Sequence, residues 1–556
     1  MAGHVPADVF WSRKGSDKGV MGRAGMQTTR LSVGRGTGML ACRLNRFPLV
    51  GALVGALILS AAAAPSWADD GPASFRAGFA EVDVSPKVGD EAPGGYGKAR
   101  LTAFHDACKA RAAVFDDGTG PVAVVGLDAL LIRKPQVLEA RRRITERTGI
   151  PGERVMIAAS HTHAGGPTGM ILPGEFDGDS DLVRELAYEK TVVASPDYLE
   201  KVVEGIAAAV AEAHASRVDA KAAAGYGRAE GVAFNRRFRM RSGFTMTHPG
   251  VGNPDIIGPA GGIDPQVGVL GAWNAAGDCL GVVVNFACHA TTGPPGISAD
   301  YVEHVERTIR GALGDGCIVV FTAGMAGDVT QVNNRNPHAY PQFGNVAARR
   351  LGSAVGAAAA TALLGLEPSA APLLPLAARS KTLQIPRRVP KPERLASAVK
   401  LVQSGPEVKV DPTEWTFAKE IVLLDARLKR EPVAPVVVQA IQVGPAVFLS
   451  CPAEYFVDYG LELKAAGPFP VTFPVSLAND CIGYVPTEDA MGPRGGGYET
   501  RLTSYSNLIP TAGRTICEAL KGLAAELTPG AVPVPAPAPP FQGQPWAYGN
   551  LPPELD

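Results

Sequence analysis

The sequence predicts an α/β protein built on a mixed-sheet core whose strands end in polar loops. Short apolar runs typical of buried strands alternate with amphipathic stretches typical of helices. Several of the apolar runs end in histidine or carboxylate residues that are followed by glycine or proline. In open α/β sheets, ligands bind at the carboxyl ends of the strands, so this pattern places a candidate site at one edge of the sheet.

The composition is that of an ordinary globular protein, with 46% hydrophobic and 19% charged residues among 556. The formal net charge is −1, and no basic run is interleaved with aromatic residues. Both observations argue against a nucleic-acid partner.

Residues 1–68 are expected to be a leader that ends in a secretory signal peptide. A basic segment, 43–46, precedes the apolar run 47–64, and the small residues Ser66 and Ala68 suit cleavage after Ala68. We therefore expect a secreted or periplasmic protein. An N-terminal membrane anchor is the alternative, because the apolar run is nearly long enough to span a bilayer.

The first part of the mature chain is predicted to alternate strands and helices. The third strand is followed by Asp128, at a position where ligands bind in such sheets. His105 precedes the second strand, and a structural role is favoured for it. The predicted strands are 75–84, 109–115 and 122–127, with a hairpin turn about 116–118, and the predicted helices are 135–148 and 196–216.

The most informative stretch is 155–167, an apolar run that ends in His161 and His163 and is followed by Gly-Gly-Pro. If the strand continues through the histidines, both imidazoles point to the same side. Two imidazoles at the end of a buried strand suit a metal ion. Two ordinary loop histidines are the alternative interpretation, because His-X-His pairs are common.

Three further apolar runs also end in polar residues. They deliver His289, then Asp328 with Thr330, and finally Glu454. Two histidines and one glutamate are a familiar ligand set for catalytic zinc, which leaves a position for water. The alternatives are a helix N-terminal charge for Glu454 and a turn-forming role for Asp328.

Of the eight cysteines, Cys42 lies in the leader, so seven remain, and none has CxxC spacing. A thiolate zinc site is therefore not expected. An exported protein is permitted disulfides, but an odd number leaves at least one cysteine free or paired outside the chain.

These motifs resemble those of the neutral/alkaline, non-lysosomal ceramidase family, zinc amidases that cleave the N-acyl bond of ceramide. The resemblance runs in family order over about residues 75–525 and implies the family's N-terminal catalytic domain over 69–528. The matching segments are Gly78–Pro86, Ser160–Pro167, Asn235–Arg236, Asn285–His289, Gly327–Thr330, Pro452–Glu454 and Gly483–Thr487.

The resemblance implies that zinc is held by His161, His289, Glu454 and Tyr484 in strand-end loops. A phenolic oxygen is an uncommon zinc ligand, and Tyr498 is a local competitor for the fourth position.

The resemblance also implies four catalytic residues. His163 would face the substrate beside the metal, and Arg236 would hold a substrate oxygen, with a surface ion pair as the alternative. Thr330 replaces the family's serine and keeps a hydroxyl that could donate to or attack a carbonyl, although it could also mark a subgroup with another substrate. His163 or Asp328 would carry the proton to the departing amine.

Two regions depart from the family pattern. The family's enzymes often carry a C-terminal β-sandwich domain, which is not expected in this sequence. Residues 529–556 are rich in proline and alanine and are expected to be a disordered tail. Region 376–440 is interpreted as an inserted subdomain with helices at 393–403 and 414–429.

The function that the resemblance implies is that of a secreted zinc amide hydrolase acting on ceramide or a ceramide-like lipid, with transient membrane contact. The expected partner is accordingly a small-molecule or lipid substrate. Zinc hydrolysis of another amide or an ester is an alternative. A non-catalytic exported binding protein of the same fold is another, and a purely structural metal a third. The sequence does not indicate an oligomeric state.

Overall fold

A computed structural model gives the architecture of the chain from residue 75 onward. The leader and signal peptide expected over 1–68 lie outside the described residues. The structure describes residues 75–556 except 337, 339, 367, 369–371, 405–409, 535–536 and 544–549.

The strands of the described residues follow the apolar runs of the sequence, and the expected strands 75–84, 109–115 and 122–127 are confirmed. In chain order they are β1 Arg76–Asp83, β2 Lys109–Asp116, β3 Val122–Leu127, β4 Val155–Ala159, β5 Val218–Asp219, β6 Lys221–Arg228, β7 Phe234–Asn235, β8 Arg237–Met240, β9 Thr245–Thr247, β10 Ile256–Pro259, β11 Gln266–Trp273, β12 Cys279–Phe286, β13 Ile318–Ala323, β14 Val329–Thr330, β15 Leu376–Pro386, β16 Val433–Val443, β17 Ala446–Ser450, β18 Glu454–Tyr455, β19 Val471–Val475 and β20 Tyr484–Val485.

The helices begin at recognisable caps. Ser195 accepts a hydrogen bond from the backbone of Tyr198, and Pro196 occupies the first helical position of the long helix that follows. The helices of the described residues are α1 Lys134–Thr148, α2 Asp181–Arg184, α3 Pro196–Ala215, α4 Tyr301–Leu313, α5 Asn345–Gly365, α6 Pro392–Val402, α7 Pro412–Arg430, α8 Val457–Ala466, α9 Glu488–Met491 and α10 Ala512–Ala525. The two helices predicted early in the chain, α1 and α3, are thereby confirmed.

Three larger sheets form the core, and each contains one parallel pair of strands. Their orders are β4-β3-β2-β1-β5, β13-β12-β11-β6 and β15-β16-β17-β19. The parallel pairs are β3 with β4, β12 with β13, and β17 with β19, while the other neighbours are antiparallel. Because parallel strands end at the same edge, each pair sends two loops out side by side. The predicted α/β class with mixed sheets is confirmed.

The inner faces of the three sheets share one apolar core. Phe115 of the first sheet, Val283 of the second and Phe448 of the third are fully buried in it. Phe448 stacks on Phe473 with ring centroids 4.4 Å apart. The outer faces are covered by α1 and α3, by α4 and α5, and by α8 and α10, respectively. This arrangement brings the three parallel pairs around one centre.

Region 376–440, interpreted as an insertion, supplies strands to the third sheet. β15 pairs with β16 along a continuous register from Leu376 opposite Val443 to Pro386 opposite Val433. The helices between these strands, α6 and α7, pack with apolar residues of the segment 171–187.

Among the described residues, none of the helices is both long enough and apolar enough to cross a bilayer. The described residues between 529 and 556 contain no helix or strand.

Candidate metal centre

His161 lies just beyond the end of β4. Its φ of 67° places it in the left-handed region, which costs a non-glycine residue about 1–3 kcal/mol and persists where surrounding contacts enforce it. Here Nδ1 of His161 lies 2.9 Å from the backbone oxygen of Leu130, which follows the neighbouring strand β3. The strand therefore does not continue through the histidine pair. Even so, Nε2 of His163 lies 3.4 Å from Nε2 of His161, so both rings reach the same site.

His289 repeats this arrangement in the second sheet. It follows β12, and its Nδ1 lies 2.8 Å from the backbone oxygen of Ala326, in the loop after the parallel neighbour β13. Burial, reinforced by the positive charge of Arg236, lowers the pKa of His289 to about 4. The imidazole is consequently neutral at physiological pH.

Glu454 lies four residues after β17, a strand of the third sheet, and opens β18. β18 pairs in parallel with β20 as a separate two-stranded sheet, in which Glu454 lies opposite Tyr484. Its Oε1 accepts a 2.7 Å hydrogen bond from the hydroxyl of Tyr505. The following helix begins only at Val457, so the interpretation of Glu454 as a helix N-terminal charge is wrong.

The three donor atoms lie close enough together to hold a cation. Nε2 of His161 and Nε2 of His289 lie 3.1 Å and 2.9 Å from Oε2 of Glu454, and all three residues are buried. Because each Nδ1 faces a carbonyl oxygen, the proton of each neutral imidazole sits on Nδ1 and each Nε2 presents a lone pair.

Oε2 of Glu454 is buried without a hydrogen-bond donor. Burial raises the pKa of Glu454, but positive charge at His161 and hydrogen bonds from the histidines in their protonated form lower it well below 4.5, and a bound cation would act in the same direction. When the two histidines are neutral, their Nε2 lone pairs converge on the carboxylate oxygen, which is unfavourable unless a cation satisfies all three atoms. Zinc takes nitrogen and carboxylate ligands at about 2.0–2.2 Å in tetrahedral geometry, so its ligand atoms lie roughly 3.3 Å apart. The donor set fits such an ion.

Tyr484 lies next to this donor set. Its hydroxyl is 3.4 Å from Nε2 of His289, whereas the hydroxyl of Tyr498 lies 3.3 Å from that of Tyr484. For Tyr498, no hydrogen bond to a histidine is recorded in the described part of the chain. Of the two tyrosines, Tyr484 is therefore the better candidate for the fourth ligand, and Tyr498 is its neighbour.

Arg236 holds the Tyr484 hydroxyl. Its Nη2 donates to that hydroxyl at 3.1 Å and to the backbone oxygen of Gly327 at 2.7 Å, and its Nε donates to Glu499 at 3.0 Å. The side chain also lies over the rings of Tyr484 and Tyr498. Arg236 is only 3% exposed, so the alternative of a surface ion pair is wrong.

A glycine-rich loop lies against His163. Gly94 has a φ of 97°, and a Cβ added to it would stand 2.3 Å from Nδ1 of His163, so only glycine fits. The buried ammonium of Lys419 on α7 holds this loop by donating to the backbone oxygen of Tyr96. The same ammonium donates to Oγ1 of Thr191 at 2.6 Å. Helix α7 thus fixes the loop that adjoins the candidate site.

Thr330 lies in a small hydroxyl and amide cluster beside the loop of His289. Its Oγ1 donates to Oε1 of Gln331 at 2.8 Å and lies 3.4 Å from Oγ1 of Thr291. In the described residues no contact joins Thr330 to the histidines or to Glu454. The cluster is nevertheless continuous with the site, because the backbone of His289 donates to Val329.

Asp328 has both carboxylate oxygens engaged by protein groups. Oδ1 accepts from the backbone nitrogen of Val457 at 2.9 Å, and Oδ2 accepts from Asn235 at 2.8 Å. Burial raises its pKa to about 6. These contacts fix the start of α8 and the segment that leads to Arg236, and they leave neither oxygen directed at the donor set.

Two other candidates lie outside the site. Asp128 belongs to a buried ion network, in which its Oδ2 accepts from Arg111 at 2.6 Å and from the backbone of Lys109 at 2.9 Å. His105 is paired with Asp106 at 2.6 Å. The expected ligand position at the end of β3 is therefore occupied by an ion pair.

Sequence reasoning missed Tyr505 and Glu499. Glu499 is fully buried and holds Arg236 from behind, and Tyr505 anchors one oxygen of Glu454. The sequence feature that could have indicated these two residues is segment 498–505, in which tyrosines and a single glutamate follow three consecutive glycines.

Comparison with known proteins finds a relative that matches part of the chain. No protein-family model matches it. The neutral ceramidase of Pseudomonas aeruginosa is 27% identical over 248 residues, which make up 43% of this chain. The match spans about a third, 33%, of that relative's length.

Two solved structures share the fold. One, described as a ceramidase complexed with C2, has a TM-score of 0.62 at 21% identity and covers 84% of this chain and 77% of that chain. The other is a crystal structure of neutral ceramidase from Pseudomonas aeruginosa, with a TM-score of 0.60 at the same identity and coverage. Together with the sequence match, this likeness confirms the resemblance to the neutral ceramidase family.

Proposed function

We propose, from the resemblance of this chain to the neutral ceramidases, that it is a zinc-dependent amide hydrolase that cleaves the N-acyl bond of ceramide or a ceramide-like lipid. The observation that carries the proposal is the buried convergence of three potential metal-ligand atoms, from His161, His289 and Glu454. The substrate class is suggested by the relative, a neutral ceramidase, and by the similar ceramidase complexed with C2.

The ligand residues would hold the ion in a fixed geometry. Zinc bound there would lower the pKa of a water molecule to about 7 and polarise the acyl carbonyl. The hydrogen bonds from each Nδ1 to a backbone oxygen fix the rings of His161 and His289 and make them better ligands. Arg236 would stabilise negative charge on the Tyr484 oxygen, to which it already donates.

We propose that His163 moves the proton, because its Nε2 lies 3.4 Å from Nε2 of His161. Burial and the neighbouring histidines keep its pKa well below 6.5, so its imidazole is a neutral base. It would take a proton from the attacking water as the carbon–oxygen bond forms. It would return that proton to the amine nitrogen as the carbon–nitrogen bond breaks. Asp328 is less suited to this role, because both of its oxygens are engaged.

Thr330 is proposed as a hydroxyl that faces the substrate from the edge of the site. Its hydroxyl donates to the side-chain amide oxygen of Gln331. The nitrogen of the same amide donates to the backbone oxygen of Thr291 at 2.8 Å. A shift of this amide would free the Thr330 hydroxyl to donate to a developing oxyanion.

Two cavities lie at the donor set or next to it. One is lined by His161, His289 and Glu454 among others. The other lies beyond Tyr505 and is lined by apolar and charged residues. The apolar part of its lining, which we propose for an acyl chain, consists of Leu131, Met170, Ile171 and Ile482.

Hydrolysis of another amide or an ester is the second candidate function. It is favoured by the charged part of the same lining, Arg133, Glu420 and Arg427, which suits a more polar substrate. We also propose, from the leader pattern alone, that the mature protein acts outside the cytoplasm and meets a lipid substrate by transient membrane contact.

The test measures zinc content and hydrolysis together. The purified protein, freed of metal and reloaded, is expected to bind about one zinc ion per chain and to release amine from a fluorescent N-acyl sphingosine. His161→Ala should lose both zinc and activity, whereas the matched control His105→Ala should keep both. Zinc binding with cleavage of other amides or esters only would favour the second candidate. Zinc binding without any hydrolysis would favour a binding protein, and the absence of zinc binding would contradict the mechanism.

A further inference from the structure

Two cysteines meet at the edge of the second sheet opposite to the candidate metal centre. Cys279 opens β12, and Cys317 immediately precedes β13, next to the first register pair of that parallel ladder, Gly281 opposite Ile318. Their Sγ atoms lie 2.9 Å apart. Since a sulfur–sulfur bond is about 2.05 Å long, a further approach of about 0.9 Å would close it.

We propose that Cys279 and Cys317 form a disulfide in the mature protein. The two thiols lose two protons and two electrons as the sulfur–sulfur bond forms. The electrons and protons pass to a second disulfide, that of a thiol–disulfide oxidoreductase or of oxidised glutathione, which is reduced to two thiols.

The surroundings of this pair suit oxidation during or after folding. Cys279 is 8% exposed and follows the exposed turn 275–278, which gives an oxidant a route to its sulfur. Cys317 is fully buried in the core under α4 and α5. A bond between them would need no opening of the sheet, because the two residues already lie on adjacent strand starts.

The remaining cysteines have other neighbours. Sγ of Cys288 lies against the backbone oxygen of His289, and Sγ of Cys481 lies 3.3 Å from the Tyr505 hydroxyl. Within the described residues, no sulfur–sulfur contact is recorded for Cys108, Cys451 or Cys517. Seven cysteines follow the expected leader, so one disulfide uses two of them and leaves five as thiols. An odd number of cysteines requires at least one to stay out of any disulfide within the chain.

The disulfide would close a loop that carries part of the candidate site. Residues 279–317 contain β12, the loop of His289 and α4. A bond at the start of β12 and β13 would reduce the conformational freedom of the unfolded chain. In the folded protein it would keep the two strands together. Their opposite ends hold His289 and the backbone oxygen that orients it. Formation of this disulfide requires neither the metal nor the hydrolase activity.

The first experiment maps thiols in the full chain, purified after export and without reductant. The protein is exposed to oxidised glutathione, denatured in N-ethylmaleimide, digested and analysed by mass spectrometry. We expect a single disulfide-linked peptide pair that contains Cys279 and Cys317, while Cys108 and Cys451 carry the label. Labelling of both Cys279 and Cys317 before reduction would overturn the proposal, as would either of them linked to another cysteine.

The second experiment compares thermal unfolding with and without a phosphine reductant in excess zinc. The wild-type melting temperature should fall by several degrees on reduction, whereas that of the Cys279→Ala, Cys317→Ala double variant should not change. An equal fall in both proteins would contradict the role assigned to this pair. The labelling result stands by itself if the double variant does not fold.

Discussion

The hydroxyl of Tyr505 donates a 2.7 Å hydrogen bond to Oε1 of Glu454, while Oε2 of the same carboxylate faces the two imidazoles. One oxygen is thereby anchored, and the other remains available to the proposed metal. The contact joins residues 51 positions apart in the chain. It makes Tyr505 a positioning residue for the proposed zinc ligand.

Tyr505→Phe should weaken zinc binding without removing it. Loss of a residue that orients a ligand typically costs about 10–100-fold in metal affinity, because the carboxylate becomes free to rotate. Competition with a chromophoric chelator measures this affinity directly. The matched control is Tyr226→Phe, which removes the hydroxyl that donates to Thr472 at 2.9 Å outside the site. Equal zinc affinity in both variants would contradict the positioning role.

Tyr484 and Tyr498 can be separated by the same measurement. Tyr484→Phe should lower zinc affinity and hydrolysis more than Tyr498→Phe, because only the Tyr484 hydroxyl lies next to a histidine nitrogen, 3.4 Å from His289. Tyr498→Phe should act indirectly, through its 3.3 Å contact with the Tyr484 hydroxyl. A larger loss of zinc in Tyr498→Phe would reverse the assignment of the fourth ligand.

Asp328→Asn distinguishes a structural role from proton transfer. Because the carboxylate accepts from the backbone of Val457 and from Asn235, an amide in its place would lose one of these acceptors. The free energy of unfolding should fall by about 1–3 kcal/mol. Turnover per folded molecule should change little, as checked by urea unfolding and active-site titration. A large loss of turnover at unchanged stability would make Asp328 the proton carrier.

The strand ends that carry the donors could be predicted from the sequence because the signal is local. An apolar run followed by a polar residue and then glycine or proline marks where a buried strand ends, as at His161 and His289. The turn itself was harder to predict. His161 adopts a left-handed conformation that no periodicity rule assigns to histidine, and the contact with Leu130 that enforces it comes from another strand.

The partners that orient the donors could not be predicted, because they depend on how separate sheets come together. Tyr505 lies in a loop after the last of the described strands, and Glu499 reaches the site through Arg236. The role of region 376–440 was hidden for a similar reason. Its helices separate two strands that pair with each other, and pairing over such a distance leaves no periodic trace in the sequence.

The ion network beneath the first sheet gives a prediction for acid stability. Glu306 of α4 lies 2.7 Å from Nζ of Lys109 and 3.1 Å from Nη1 of Arg310, and it also pairs with Arg111. Burial alone would raise its pKa, but Arg111, Lys109 and Arg310 together lower it to about 2. A folded pKa below the unfolded value of 4.5 means that the stabilisation is present above pH 4.5 and is lost towards pH 2.

Glu306→Gln should therefore remove a pH-dependent part of the stability. A shift of this size corresponds to about 3 kcal/mol at neutral pH. In urea unfolding, the wild type should lose this contribution between about pH 5 and about pH 2, whereas the variant should start lower and fall less over the same range. The control Glu303→Gln removes a 2.6 Å pair with the exposed Arg307 on the same helix, and its acid dependence should match that of the wild type. If the free energy of unfolding fell equally with pH in Glu306→Gln and in the wild type, the charge of Glu306 would contribute nothing to folding. The network would then contribute only packing between β2 and α4.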